Sequence, residues 1–282
     1  MLEQTIVNAL LLGMTYVVVA SGLTLVVGVM HVFNFAHGEL YMLGGFAGYF
    51  LLEILGLNFF VAMVLTMALM FLVGVVIERY SFRLVRGNLI PSRMLSLGLS
   101  MSLSGFALLA FTENDLSVPS PFPGVVHVGE MVISAERLMV IILCFLIMAA
   151  MFFFLHRFKW GRAMRAVAID PEAAPLQGIS IDLVSSLSFG ISSALAAAAG
   201  VMIVPLFKVN SSMGTAAVIN SLTVIVLGGM GSIPGSVVGG LLLGFVNAFA
   251  ITYIGGTIGG IFAFIMIIIM IMVRPKGLMG HD

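Results

Sequence analysis

The chain has 282 residues, of which 61% are hydrophobic and only 9% are charged, whereas an ordinary soluble domain has roughly 45–50% apolar and about 25% charged residues. Its mean hydropathy of +1.22 excludes a soluble domain and predicts an all-α polytopic membrane protein. Twelve basic and twelve acidic residues cancel, which excludes a basic surface for nucleic acid. The single cysteine, Cys144, excludes an internal disulfide, and no Cys/His spacing indicates a metal site.

Apolar segments follow one another along the whole chain. A helix needs about 20 apolar residues to cross the hydrocarbon, and eight segments meet that length. A shorter stretch at 217–230 is either a ninth crossing or a re-entrant hairpin, so we predict eight to nine transmembrane helices in one domain, 1–282. The eight segments are 6–30, 40–55, 58–78, 94–112, 138–156, 183–206, 236–254 and 258–273.

Ten of the twelve Lys and Arg residues lie in three groups, and basic loops resist translocation across the membrane. With nine crossings, all three groups fall on the cytoplasmic side, with the N-terminus outside and the C-terminus inside. The loop from Asn114 to Ala135, with Glu113, Asp115 and Glu130, then faces outward. The groups are Arg79, Arg83, Arg86 and Arg93; Arg157, Lys159, Arg162 and Arg165; and Arg274 with Lys276.

Two segments break the apolar pattern, His31–Glu39 and Gly228–Gly235. Irregular backbone at membrane depth is tolerated where protein or a water-filled cavity receives it, and transporters place such breaks near their pathways. Both are therefore candidate gates at the cytoplasmic edge. Asn34 also suits a helix N-cap and Glu39 the positive helix N-terminus, while His37 is a weak candidate proton carrier. The candidate gate residues are Asn34, His37, Glu39, Gly231 and Pro234.

Several polar residues lie within the predicted spans. Each either lines a substrate path or makes a helix-to-helix hydrogen bond, and the second interpretation is favoured because such bonds are common glue between membrane helices. Glycine pairs four residues apart, such as Gly44 and Gly48, predict close helix packing. The candidate path residues are Thr24, Ser193, Asn220, Thr223 and Asn247.

The longest predicted cytoplasmic loop, 157–182, contains the signature of a short helix. Asp170 suits the N-cap, Pro171 the first helical position and Gly178 the C-terminal cap. Pro175 would tighten the turn, because it removes a backbone donor.

Four stretches of this sequence resemble the branched-chain amino acid permease family of ABC importers. Glu172-Ala173-Ala174, followed by Gly178, is also similar to the coupling motif of such importers, although the Ile and Leu-Pro that continue that motif in other importers have no match around Ser188. The resemblance covers most of the chain. The stretches are Gly22-Leu-Thr-Leu-Val-Val-Gly28, Asn34-Phe-Ala-His-Gly-Glu-Leu-Tyr-Met-Leu-Gly44, Arg165-Ala-Val-Ala-Ile-Asp-Pro-Glu-Ala-Ala174 and Val226-Leu-Gly-Gly-Met-Gly-Ser-Ile-Pro-Gly235.

The resemblance implies a permease subunit in a bacterial inner membrane. It would pair with a second, similar permease, two ATPase subunits and a periplasmic solute-binding protein, and it would bind no cofactor, with ATP on the partner subunits. The solute would be a branched-chain amino acid or a related urea, amide, aromatic or organic acid. The residues implied in coupling to the ATPase are Glu172, Ala173, Ala174 and Gly178, flanked by Arg162 and Arg165.

Other classes of protein fit less well. The chain has no Gly-x4-Gly-Lys-Ser/Thr loop for ATP. A passive channel or secondary carrier for a small neutral solute is the main alternative, although ion-coupled carriers need charged groups in the membrane and we expect only Glu53, near the outer edge. A membrane enzyme is weaker still, because His37-Gly-Glu39 lacks metalloprotease spacing.

Overall fold

The computed structural model describes residues 2–111, 115–128, 131–274 and 277–279, and these residues form ten α-helices and one β-hairpin. A π-helical turn, Phe50–Ile54, prolongs the second helix, and 3-10 turns lie at Phe82–Val85 and Ala174–Gln177. Strands β1 (Val125–Val128) and β2 (Met131–Ser134) pair antiparallel. The helices are α1 (Leu2–Met30), α2 (His37–Tyr49), α3 (Phe59–Tyr80), α4 (Leu89–Phe111), α5 (Ala135–Arg157), α6 (Lys159–Ile169), α7 (Ile181–Ile203), α8 (Met213–Gly228), α9 (Ile233–Tyr253) and α10 (Gly256–Val273).

The predicted polytopic helical architecture is confirmed. Six helices of the described part, α1, α3, α4, α5, α7 and α9, are long and apolar enough to cross a membrane, while α8 is shorter. Each coincides with a predicted span, because a continuous apolar run needs no tertiary information to be recognised. The exact number of crossings, eight or nine, stays a prediction.

The central helix of the bundle is α7. Its small residues, Ala194 and Ala196 to Gly200, are buried, and it packs against α1, α2 and α3. A methyl group at Gly44 of α2 would overlap the Cα atom of Ala197, and one at Gly200 would overlap the Tyr41 carbonyl. Backbone therefore touches backbone, which is how helices gain dispersion energy in lipid.

A second close contact joins α1 to α9. Methyl groups at Gly240 and Gly244 of α9 would meet the backbone of Val17 and Gly13 of α1. Thr24 Oγ1 and Ser236 Oγ lie 2.5 Å apart at the same interface. The predicted glycine pairs thus lie in helix contacts, as the spacing indicated.

Helices α2 and α8 begin in the interior of the bundle. His37, the first residue of α2, hydrogen-bonds the carbonyl of Val19 and approaches Ser192, which lie in the middle of α1 and α7. The start of α8 meets it there, because a methyl at Gly38 would overlap the Gly214 carbonyl. The prediction that the whole break His31–Glu39 lies at the cytoplasmic edge is therefore wrong for its second half, which lies inside the bundle.

The opposite end of the bundle carries the predicted outer loop. Leu116 pairs with Val209 in an isolated bridge, and Asp115 accepts hydrogen bonds from Asn210 and Lys208, which together lower the pKa of its carboxyl group. Glu113, Asn114 and Glu130 lie outside the described residues. The predicted outer loop therefore contacts the segment that connects α7 to α8.

We predict that Gly44→Ala destabilises the protein by about 1–3 kcal/mol, the usual cost of an added methylene in a packed core. The added carbon would overlap Ala197. Gly98→Ala is the control, since nothing lies within 4 Å of a methyl there, and alanine favours the helix. Thermal unfolding in detergent would show a lower midpoint for Gly44→Ala alone; equal midpoints for the two variants contradict this packing.

Candidate functional site

The described members of the three basic groups lie at one end of the bundle, here called the basic end, where Ala168 of α6 approaches Gly28 of α1. The end of α3 contacts the start of α7 through Arg83 and Asp182, and Arg93 of α4 lies 6.0 Å from the ring of Phe33. The C-terminal segment arrives there as well, because Leu278 N–H donates to the Leu227 carbonyl. Lys276 lies outside the described residues. Such clustering is typical of the cytoplasmic face of a membrane protein.

The segment 170–178, here called the lever, projects from the basic end. Asp170 Oδ1 accepts the backbone N–H groups of Glu172 and Ala173 at 3.0 and 2.9 Å, so it caps the turn before the 3-10 helix, whose own N-cap is Ala173. Gly178 closes the segment in the left-handed region at φ 73°. Between these caps the chain forms a turn and the four-residue 3-10 helix Ala174–Gln177, which is the tightened geometry expected from Pro175.

Almost the whole lever is exposed. Glu172 and Ala173 are exposed and Ala174 is buried at 4%, so Ala174 anchors the segment to the core. Leu176, at its tip, is 85% exposed, as is Ile169 just before it. Large apolar side chains exposed beyond the bundle are typical of a protein-protein contact.

Helix α6 precedes the lever and was not anticipated from the sequence. Gly161, Met164 and Val167 are buried at helical spacing, while Arg162 and Arg165 are exposed on the other face. The signal was present as an amphipathic period, which is typical of a helix lying at a membrane surface. The two predicted arginines therefore flank the lever from one regular helix.

A buried ion-pair cluster joins α3 to the start of α7, directly after the lever. Its centre is Glu78, whose side chain is 0% exposed and contacts Arg83 at 3.1 Å and Arg86 at 2.5 Å. Asp182 contacts both arginines, and Ser186 Oγ donates to Glu78 at 2.5 Å. We call Glu78, Arg83, Arg86, Asp182 and Ser186 the clamp.

Sequence reasoning missed the clamp. It expected only Glu53 within a span, but Glu53 is exposed in the π-helical turn, whereas Glu39 and Glu78 are 2% and 0% exposed. The available signal was a carboxylate at the end of a span followed by two arginines. Its other partners, Asp182 and Ser186, lie about a hundred residues away along the chain.

The break between α8 and α9 also lies at the basic end. Gly231, at φ 79°, approaches Gly28 of α1. Pro234 lies in the first turn of α9, which Ser232 caps by accepting the N–H of Gly235 at 3.1 Å. Glycine and proline therefore fit this sharp turn for backbone reasons, next to the ends of α1 and α6.

The first break differs in one detail from its expected capping. Asn34 Oδ1 accepts the N–H of Ala36 at 3.1 Å, but the N-cap of α2 is Ala36 and has no side-chain cap. Asn34 thus stabilises a turn before the helix rather than the helix itself, because its side chain reaches only two residues ahead. His37 is fully buried and holds this turn against α1.

The five candidate path residues lie between different helices. Thr24 pairs with Ser236 of α9, and Asn247 Nδ2 donates to Tyr16 OH at 3.2 Å. The other hydroxyl groups of the set, those of Ser193 and Thr223, donate to carbonyls of their own helices, and Asn220 is half-buried. Because the five contact different partners, the structure does not bring them together into one lining, and their role in a path stays a prediction.

Comparison with known proteins identifies the family. Residues 5–271 match the model of the family described as "Branched-chain amino acid transport system / permease component". The chain belongs to this family. It is therefore a membrane-embedded permease component of a transport system, and the resemblance found in the sequence is confirmed.

Individual relatives agree with this assignment. The permease is 34% identical over 83% of its length to the high-affinity branched-chain amino acid transport system permease protein BraD of Pseudomonas aeruginosa, covering 81% of that protein. It is 35% identical to LivH, the protein of the same description in Escherichia coli, over 83% of this chain and 80% of that one.

One solved structure shares the fold of the permease. PsaBC from Streptococcus pneumoniae in complex with Fab aligns with a TM-score of 0.53 at 16% identity, over 95% of this chain and 91% of that chain. At this identity the likeness concerns the fold alone.

We predict that Glu78→Gln destabilises the permease by about 1–3 kcal/mol, because it removes the buried carboxylate that accepts hydrogen bonds from Arg83 and Arg86 and leaves these partly exposed cations to Asp182. Asp182→Asn is the matched control; its carboxylate is 58% exposed, so its loss should cost at most about 1 kcal/mol. The two midpoints of thermal unfolding in detergent test this. A larger loss for Asp182→Asn contradicts a Glu78-centred clamp.

Proposed function

We propose that this permease is half of the membrane pathway of an importer for branched-chain amino acids or a related small solute. A second, similar permease completes the pathway, two ATPase subunits bind and hydrolyse ATP, and a periplasmic binding protein delivers the solute. The similarity to BraD and LivH, which are permeases for branched-chain amino acids, supports the solute class. The exposed apolar tip of the lever is the observation that supports an ATP-driven partner.

In this proposal the lever docks on an ATPase subunit. It is short, capped at both ends and exposed except at Ala174, so it can enter a groove as one rigid unit. Leu176 supplies the apolar contact, and Glu172, Arg162 and Arg165 surround it with charge. A partly apolar tip with a polar rim is the usual anatomy of a transient interface.

The clamp then carries displacement of the lever into the membrane. Asp182 follows the lever by four residues and binds Arg83 and Arg86, which also hold Glu78 at the end of α3. A shift of the lever therefore moves the start of α7 and the end of α3 together. Alternating access follows when these helices rock relative to the rest of the bundle.

The orientation in the membrane follows from the basic end. We infer that this end faces the cytoplasm of a bacterial inner membrane, where positively charged loops are retained. The lever then meets the ATPase subunits on the correct side, and the N-terminus lies outside. Residues 1–282 act as a single transmembrane domain with the coupling loop 157–182.

A passive channel or secondary carrier for a small neutral solute is not favoured. The family consists of permease components of a transport system, and a channel has no need of a capped and exposed lever. The test is co-purification of the tagged chain with ATPase subunits encoded with it, which a channel or carrier would not retain.

We predict that Leu176→Ser weakens this co-purification by at least tenfold, because it removes the apolar contact at the lever tip. Leu84→Ser is the control, since Leu84 is 79% exposed at the same end but lies in a different turn. Retention of the ATPase subunits is measured by stoichiometry after size exclusion. Equal losses in both variants contradict a role specific to the lever.

We predict that Gly178→Val uncouples ATP hydrolysis from transport. Valine is strained at φ 73° although nothing lies within 4 Å of the added carbon, so the lever changes shape while the bundle does not. Gly56→Val imposes the same strain at φ 62°, also in open space, before the start of α3 and away from both the lever and the clamp. Solute-stimulated ATPase activity in proteoliposomes should fall several-fold only for Gly178→Val; unchanged stimulation contradicts the proposed coupling.

A further inference from the structure

Glu39 is a buried carboxylate with one unused oxygen. Its side chain lies in the first turn of α2, and the residue is only 2% exposed. Ser100 Oγ of α4 donates to Oε1 at 3.2 Å. Oε2 has no hydrogen-bond partner in the described part of the chain, which is unusual for a buried acceptor.

Two helix N-termini meet at this carboxylate. Glu39 belongs to the start of α2, and a methyl group built on Gly214, at the start of α8, would lie 2.5 Å from Oε2. The N-terminus of a helix carries a partial positive charge. Both helix N-termini therefore place partial positive charge next to this carboxyl group.

A full positive charge is nevertheless missing. Among the described residues, no Lys, Arg or His forms an ion pair with Glu39, and His37 is engaged with Val19 and Ser192. Buried carboxylates ordinarily have a cationic partner or a metal. The described residues contain no group of three His, Cys, Asp or Glu suited to a metal.

A row of serine side chains on α4 leads to this carboxylate. Ser92, Ser96, Ser100 and Ser104 recur every four residues and so share one face of α4. Ser96 donates to the Phe33 carbonyl and Ser100 to Glu39. Helix α4 has three buried residues, Ser92, Ser96 and Ala107, and Phe111 near its end stacks on Phe46 of α2, so Ser100 is the residue of this wall that bonds to Glu39.

We propose that Glu39 binds the ammonium group of the transported solute when α4 moves away from α2. A primary ammonium has three donors, which suit the free Oε2 together with a neighbouring serine hydroxyl such as Ser100. This inference rests on the proposed import of an amino acid, and it assigns the recognition of the amino group to the permease itself. The occupied site needs no protein cation, which explains why none of the described residues supplies one.

The test uses the complete importer in proteoliposomes, with uptake of labelled leucine as the readout. Glu39→Gln keeps the shape but removes the charge, so we expect the KM for uptake to rise at least tenfold, while Glu39→Asp retains part of the wild-type affinity. Glu53→Gln is the matched control, since Glu53 is an exposed carboxylate at the far end of the same segment, and it should transport like wild type. Wild-type KM in Glu39→Gln overturns the proposal.

A second measurement keeps the test valid if Glu39→Gln fails to assemble. In a Cys144→Ala background, Ser100→Cys reports access to the site by its reaction with a small maleimide. We expect millimolar leucine to slow the labelling and 4-methyl-2-oxopentanoate, which has the same carbon skeleton without the ammonium, to have no effect. Equal protection by both overturns the proposal.

The controls separate the alternatives. If wild-type uptake falls to the Glu39→Gln level when choline replaces sodium, the site holds an inorganic cation and the ammonium assignment is overturned. If the wild-type importer takes up no branched-chain amino acid, the proposed function fails before this inference is reached. If the wild-type importer takes up leucine and Glu39→Gln takes it up equally well, this inference is overturned while the proposed function stands.

Discussion

The architecture depends on the direct contact of backbones around α7. In lipid the hydrophobic effect does little to bring helices together, so association relies on close packing of small residues. Helix α7 provides that surface along its length, since Ala196 to Gly200 are buried and face glycines of α2. Larger side chains there would keep the helices apart, and the buried polar groups beside them would lose their partners.

This close packing around α7 allows the bundle to contain interrupted helices. The segment that leads to α2 enters the bundle as irregular backbone, which lipid cannot satisfy. Here the protein satisfies it: Asn34 accepts the N–H of Ala36, and Ser96 donates to the Phe33 carbonyl. His37 then ties the start of α2 to α1 at 2.9 Å. The irregular segment is therefore held by partners that α1 and α4 bring to it.

Much of this arrangement could be predicted from the sequence, because its signals are local. Long apolar runs indicated the helices, the basic groups indicated one common end, and Asp170 with Gly178 indicated a capped lever. Among the described residues, six of the predicted spans are long apolar helices, and Asp170 and Gly178 lie at the two ends of the lever, which forms a turn and a 3-10 helix.

Features that depend on distant partners could not be predicted. Glu78 lies in an apolar span, and only the fold brings Asp182 and Ser186 to its arginines. Sequence reasoning missed that α2 and α8 begin inside the bundle. The sequence shows where a helix breaks, but not how deep in the bundle the break lies. Helix α6 was missed for a different reason: its apolar stripe contains a glycine, and the basic residues around it suggested a loop.

The same contacts determine how movement passes through the permease. Helix α7 has 23 residues, so it reaches about 35 Å at the usual helical rise, from the clamp at Asp182 to the outer end. Its residues Ala197 and Val201 lie directly against Gly44 and Gly48 of α2, so we expect displacement of α7 to carry α2 with it. Helix α4 holds α2 in two ways: Ala107 and Phe111 pack against Met42 and Phe46, and Ser100 donates a hydrogen bond to Glu39. Movement of α2 with α7 therefore acts on a contact with α4 in which the hydrogen bond from Ser100 to Glu39 closes the interior.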